Sequence, residues 1–128
     1  MASKDSRPVN LALTEFSFPI TAWASIGHRA CAVMIWVGLG ISLYTLHLAT
    51  ASSLDFDRIA ELLQQTFWAQ FIAWGLLSAF GYYCCGTIKH LIQEMGYCED
   101  FAGGKKISWL AIVGGVIISI LAGVYLWA

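Results

Sequence analysis

The chain has 128 residues, 59% of them hydrophobic and 12% charged, with a mean hydropathy of +0.69 and a formal net charge of −1. Soluble domains carry about 25% charged residues, so a chain this apolar reads as an integral membrane protein of one domain, 1–128. The near-neutral charge gives no footing for nucleic acid or another polyanionic partner. Cys31, Cys84 and Cys85 lie in apolar runs and Cys98 in a polar loop, without CxxC or Cys/His spacing, so neither a disulfide framework nor a metal site is expected.

Residues 1–19 are polar to amphipathic, with Lys4 and Arg7 near the start. Pro8 and Pro19 break any helix there, and Pro19 suits the first turn of a following one. Leu11, Leu13, Phe16 and Phe18 form an N-terminal interfacial segment. The first apolar run is too long and too late for a signal peptide. Three apolar runs, each near the ~20 residues that cross a bilayer, predict spans over about 20–49, 67–92 and 107–127. Trp23, Trp68, Tyr97, Trp109, Tyr125 and Trp127 mark their ends, as interfacial belts require. The fold class is therefore an all-α membrane protein with three transmembrane helices.

Between the first two spans, Phe56, Ile59, Leu62 and Leu63 give an amphipathic pattern that predicts an interfacial helix. Between the second and third, residues 93–106 contain Gly96, Gly103 and Gly104 and read as an irregular turn. Lys4, Arg7 and Arg29 on the N-terminal side, with Lys89, Lys105 and Lys106 around the second loop, outweigh the single Arg58 of the first loop. That asymmetry places the N-terminus in the cytoplasm. Small residues recur at four-residue spacing: Gly38 and Ser42, Gly75 and Ala79, then Gly115, Ser119 and Gly123. Such stripes let membrane helices approach closely, and three of them point to packing against a second membrane subunit.

The polar groups at depth are few. Ser25-Ile26-Gly27-His28-Arg29 puts a hydroxyl, an imidazole and a guanidinium on one helical face at the mouth of the first span. An arginine at the bilayer centre costs about 2.5–3.5 kcal/mol, and less near the interface. Alone it reads as a snorkelling side chain; with Ser25 and His28 beside it, it reads as a site. In the second span Tyr83, Thr87 and His90 form a stripe at i, i+4 and i+7, level with His28 and Arg29. Lys89 reads as snorkelling to the headgroups, and His47, without polar company, as an interfacial residue. No Asp or Glu falls within a span, which argues against a proton-coupled transporter. No P-loop, HExxH or Ser-His-Asp set is present.

Arg7-Pro8-Val9-Asn10-Leu11, Phe18-Pro19-Ile20-Thr21, Ser25-Ile26-Gly27-His28-Arg29, Ile88-Lys89-His90 and Met95-Gly96-Tyr97 together resemble the cytochrome b membrane-anchor subunit of bacterial succinate dehydrogenase. The likeness runs through essentially the whole chain. It implies a complex of the bacterial inner membrane in which a flavoprotein subunit oxidises succinate and an iron–sulfur subunit carries electrons. Two small anchors then hold both on the membrane lipid and bind ubiquinone and haem b. On this resemblance the succinate-oxidising chemistry lies outside this chain. The resemblance assigns Ser25 and Arg29 to the quinone pocket, with Leu13, Phe18 and Ile26 as its apolar wall. It sets His28 and Arg29 beside the haem propionates. A quinone has a planar apolar body and two carbonyls, so an apolar wall with a few donors suits it. A fixed guanidinium stabilises the charge that reduction places on it, and the same forked donors suit a propionate.

One departure stands out. The family's second-span pattern is a histidine, three residues, Gly or Ala, a hydrophobe, then Arg and His. Anchored on His90, its haem-ligating histidine falls at Tyr83, its small residue at Thr87 and its arginine at Lys89. Three arrangements are open. Tyr83 ligates the iron as a phenolate; or His90 does, about 10 Å along the helix, with the haem displaced; or the haem rests on the partner anchor alone, or is absent. The competing functions are the anchor of a fumarate reductase, and a structural or transport subunit without a redox role.

Overall fold

The structure, a computed structural model, describes residues 19–128, so Leu13 and Phe18 and the expected interfacial segment lie outside the described residues. The chain is an all-α membrane protein with helices α1 (Ile20–Ala49), α2 (Ser53–Gln65), α3 (Phe67–Glu94) and α4 (Phe101–Trp127). Three of these, α1, α3 and α4, are long and apolar enough to cross a membrane.

Each boundary has a local cause. Pro19 stands at the N-cap of α1, one place before the helical turn where it is expected, and its carbonyl accepts from Ala22 and Trp23 at 3.0 and 3.2 Å. Ser52 caps α2: its hydroxyl accepts from the Asp55 amide at 3.1 Å and donates to the Asp55 carboxylate at 2.7 Å. That reciprocal pair satisfies a donor the first turn would leave orphaned. A single residue, Thr66, joins α2 to α3, and the Gln70 side-chain Nε2 donates back to the Gln64 carbonyl at 2.8 Å.

The helix α3 stops on glycine. Gly96 takes φ +90°, the Gly96 amide bonds the Gln93 carbonyl, and the Tyr97 amide bonds that of Ile92. This is the paired closure that left-handed glycine provides at helix ends. The irregular segment then ends sooner than the sequence suggests. Asp100 caps α4 by accepting from the Gly103 amide at 3.2 Å, and the helix runs from Phe101. Gly103 and Gly104 are helical residues. A β-carbon on Gly103 would lie 2.6 Å from Asp100 Oδ1 and 2.9 Å from Cys98 Cα, so this glycine lets the cap close.

The core lies where the three long helices meet, most extensively between α3 and α4. Gly38 faces Leu76, Gly81 faces Ile118, and Gly115 faces Tyr82, each leaving no room for a β-carbon. Ser78 and Ser119 share a hydrogen bond of 2.8 Å, and the Trp74 indole donates to the Ser119 carbonyl at 2.9 Å. Several of the small residues at four-residue spacing are thus used within the chain, so their stripes are not by themselves a partner's footprint. Much of α1 remains uncovered, including Trp36 at 75% exposed.

Candidate functional site

The starts of α1 and α4 and the end of α3 share one end of the bundle: Gly104 of α4 approaches Thr21 of α1, and Gly86 of α3 approaches His28. The polar residues of α1 and α3 collect there because antiparallel helices bring residues 25–29 level with 82–90. Tyr82 fixes the register. Its hydroxyl donates to the Ala24 carbonyl at 2.6 Å, its ring lies against Gly27, and its other side packs on Gly115 of α4.

His28 projects from α1 into α3. Its Nε2 lies 3.2 Å from Thr87 Oγ1, while the Thr87 hydroxyl donates to the Tyr83 carbonyl at 2.8 Å. With its proton so committed, the threonine oxygen can only accept from His28. Nε2 therefore carries the hydrogen. The imidazole stacks on the Tyr83 ring, centroids 4.5 Å apart and planes 7° from parallel, and meets the His90 ring edge-on at 5.2 Å. Gly86 makes this possible, since a β-carbon there would strike His28 Cδ2.

Of the sequence candidates, His28, Tyr83, Thr87 and His90 thus form one cluster. Ser25 is half-buried, while Arg29 and Ile26, the latter 43% exposed, lie on the outer side of the same helical stretch. The Ser25 hydroxyl and the Arg29 guanidinium make no hydrogen bond or ion pair among the described residues, nor does the Tyr83 hydroxyl. His47, expected at the interface, is exposed near the far end of α1.

Lys89 departs from expectation. In place of snorkelling, it is buried at 5% exposed. The cause is the packing of α4 against α3: Ile107, Leu110 and Ala111 of the third span, with Cys98 and Lys106 of the segment expected to be an irregular turn, close around it. Gly86 and Tyr82 were also missed. The first carries no functional group, and the second is revealed as a link only by the partner helices that close on it. A separate apolar cavity of about 540 Å³ lies at the opposite end, between α1, α2 and α3, where Phe56, Ile59 and Leu63 of α2 meet Leu46, Ile72 and Leu76.

The fold and this polar cluster define a class: a small helical membrane subunit whose polar groups gather at one end of its bundle. Residues 3–123 match the family of succinate dehydrogenase/fumarate reductase transmembrane subunits. The chain is 36% identical over 121 residues to the succinate dehydrogenase cytochrome b556 subunit of Coxiella burnetii, covering 94% of this chain and 97% of that one. It is 24% identical over 135 residues to the mitochondrial inner membrane protein SHH3 of Saccharomyces cerevisiae, covering 100% of this chain and 66% of that one. The chain belongs to the succinate dehydrogenase/fumarate reductase transmembrane subunit family, and is therefore a membrane-anchor subunit of an enzyme complex.

The donor chemistry suits the haem that the relative's name implies. Among the described residues no group of three or more His, Cys, Asp or Glu gathers as it would around a bare ion. A haem iron, held largely by its own macrocycle, needs only an axial donor, and a phenol and an imidazole, the groups that Tyr83 and His90 carry, are of a type that serves.

Proposed function

We propose that this chain is the cytochrome b-type anchor of a succinate:ubiquinone oxidoreductase of the bacterial inner membrane, with its N-terminus in the cytoplasm. It holds a flavoprotein and an iron–sulfur subunit at the end of the bundle that carries Arg29 and His28, together with a second small anchor. Succinate oxidation takes place in the flavoprotein, and this chain supplies part of the quinone site.

The observation that carries the reading is a division of labour on one turn of α1. His28 is consumed in the α1–α3 interface, whereas Ser25 and Arg29 on either side of it keep their donors unused among the described residues. Ser25 donates to one quinone carbonyl and orients the ring. Arg29 places a fixed positive charge where reduction builds negative charge, and the surrounding low dielectric strengthens that effect. Ile26, with Leu13 and Phe18, supplies the apolar wall.

When bound, haem b supplies a one-electron store beside the quinone. Tyr83 and His90 are the groups of this chain that would hold its iron, and Arg29 the one that would pair with a propionate, with His28 beside it and its proton given to Thr87. The Thr87 hydroxyl keeps the His28 proton on Nε2, and Gly86 keeps the imidazole seated.

The test is Arg29→Leu in the assembled complex. Quinone reduction by succinate is expected to fall about 100-fold or more, while reduction of a soluble dye by succinate persists. Full quinone reduction in this variant would overturn the assignment. For the haem, a reduced-minus-oxidised spectrum of the complex is expected to show a b-type band that Tyr83→His displaces; an unmoved band would exclude Tyr83 as the ligand.

A further inference from the structure

Lys89 is the only charged side chain among the described residues that is buried, at 5% exposed, and it makes no hydrogen bond or ion pair there. Its position is not an accident of a closed core. It lines a cavity of about 390 Å³ between α3 and α4, with Ile92 and Cys98 on one side and Ile107 and Leu110 on the other. A second cation, Lys106, lines the same cavity. Two lysines line one recess without a counter-charge among the described residues, and the Lys89 nitrogen, though its residue is buried, is not sealed from the recess.

The neighbouring carboxylates do not supply the missing charge. Asp100 is occupied in capping α4, and neither Glu94 nor Glu99 forms an ion pair among the described residues. The recess lies where α3 ends and α4 begins, which is headgroup depth for two spanning helices, and its wall below the lysines is apolar. Paired cations above an apolar wall match the layout of a phospholipid, with its phosphate at the surface and its chains along the helices. Basic pockets between transmembrane helices take anionic lipid head groups for this reason.

We propose that Lys89 and Lys106 bind the phosphate of an anionic phospholipid, whose glycerol enters the recess and whose acyl chain follows the α3–α4 face. This requires only that α3 and α4 span a membrane and does not depend on the quinone or haem assignments.

The experiment is to delipidate the purified complex and titrate it with dioleoyl phosphatidylglycerol, dioleoyl phosphatidylcholine or inorganic phosphate in mixed micelles. Binding is followed by native mass spectrometry and thermal denaturation. Phosphatidylglycerol is expected to bind and to raise the denaturation temperature, and phosphatidylcholine to do so far less. Lys106→Gln, at an exposed position that leaves packing intact, is expected to weaken phosphatidylglycerol about five-fold, and Lys89→Met by at least as much. The proposal is overturned if both lipids bind equally or if inorganic phosphate alone gives the whole effect. It is also overturned if lipid binding survives Lys106→Gln unchanged, or if Lys89→Met releases a protein subunit while lipid stays bound.

Discussion

At the scale of single residues, glycine decides what the polar cluster is. Gly86 and Gly75 lie on the same helix, yet a β-carbon on Gly86 would enter the His28 ring while one on Gly75 would meet nothing within 4 Å. Gly86→Ala is therefore expected to cost about 1–3 kcal/mol through overpacking. Gly75→Ala is expected to be neutral or to stabilise by up to about 1 kcal/mol through helix propensity. Denaturation of the two variant complexes separates them; equal effects would show that His28 is not seated on Gly86. Residue spacing made the Ser25–His28–Arg29 face and the Tyr83–Thr87–His90 stripe legible from sequence, because both follow from helical geometry alone. It did not reveal Gly86, whose role is an absence of atoms. It also misassigned Lys89, whose burial depends on how α4 packs against α3 and not on its own sequence neighbours.

At the scale of elements, one tyrosine joins all three spans. The Tyr82 hydroxyl bonds the α1 backbone at Ala24 while its ring fills the notch at Gly115 of α4. Tyr82→Phe keeps the ring and removes the bond, and an expected loss of about 0.5–1.5 kcal/mol follows. Thermal unfolding of the complex measures it; an unchanged midpoint would assign the register to packing alone. The amphipathic helix between the first two spans was readable from its apolar spacing, and its Ser52–Asp55 cap is a local pattern. The start of α4 was obscured because the glycines at 103 and 104 carry the composition of a turn while the Asp100 cap makes them helical.

For the whole molecule, the basic residues gather at one end. Arg29, Lys89, Lys105 and Lys106 lie at the end of the bundle that holds His28, while Arg58 lies on α2 at the other. Three spanning helices would put Pro19 and Ala128 on opposite sides of a membrane, and the orientation proposed above sets Pro19 on the cytoplasmic side. Alkaline phosphatase fused after Ala128 is accordingly expected to be active in cells, and the same enzyme fused after Tyr97 to be inactive. The opposite pattern would reverse the orientation and move the polar cluster away from any cytoplasmic subunit. The exposed apolar flank of α1 was legible only as hydropathy; which parts of it meet protein and which meet lipid depends on chains beyond this one.

The one-residue link at Thr66 gives α3 the character of a screw held in a fixed nut. A helix turns about 100° for each 1.5 Å it advances, so depth and facing direction cannot change separately once α2 is anchored by its own apolar side. The Gln70–Gln64 hydrogen bond removes the remaining slack at that joint. The azimuth at which Tyr83 and His90 meet α1 is thus constrained from the opposite end of the bundle as well as by Tyr82. A change of linker length there would re-aim the polar cluster without touching any of its residues.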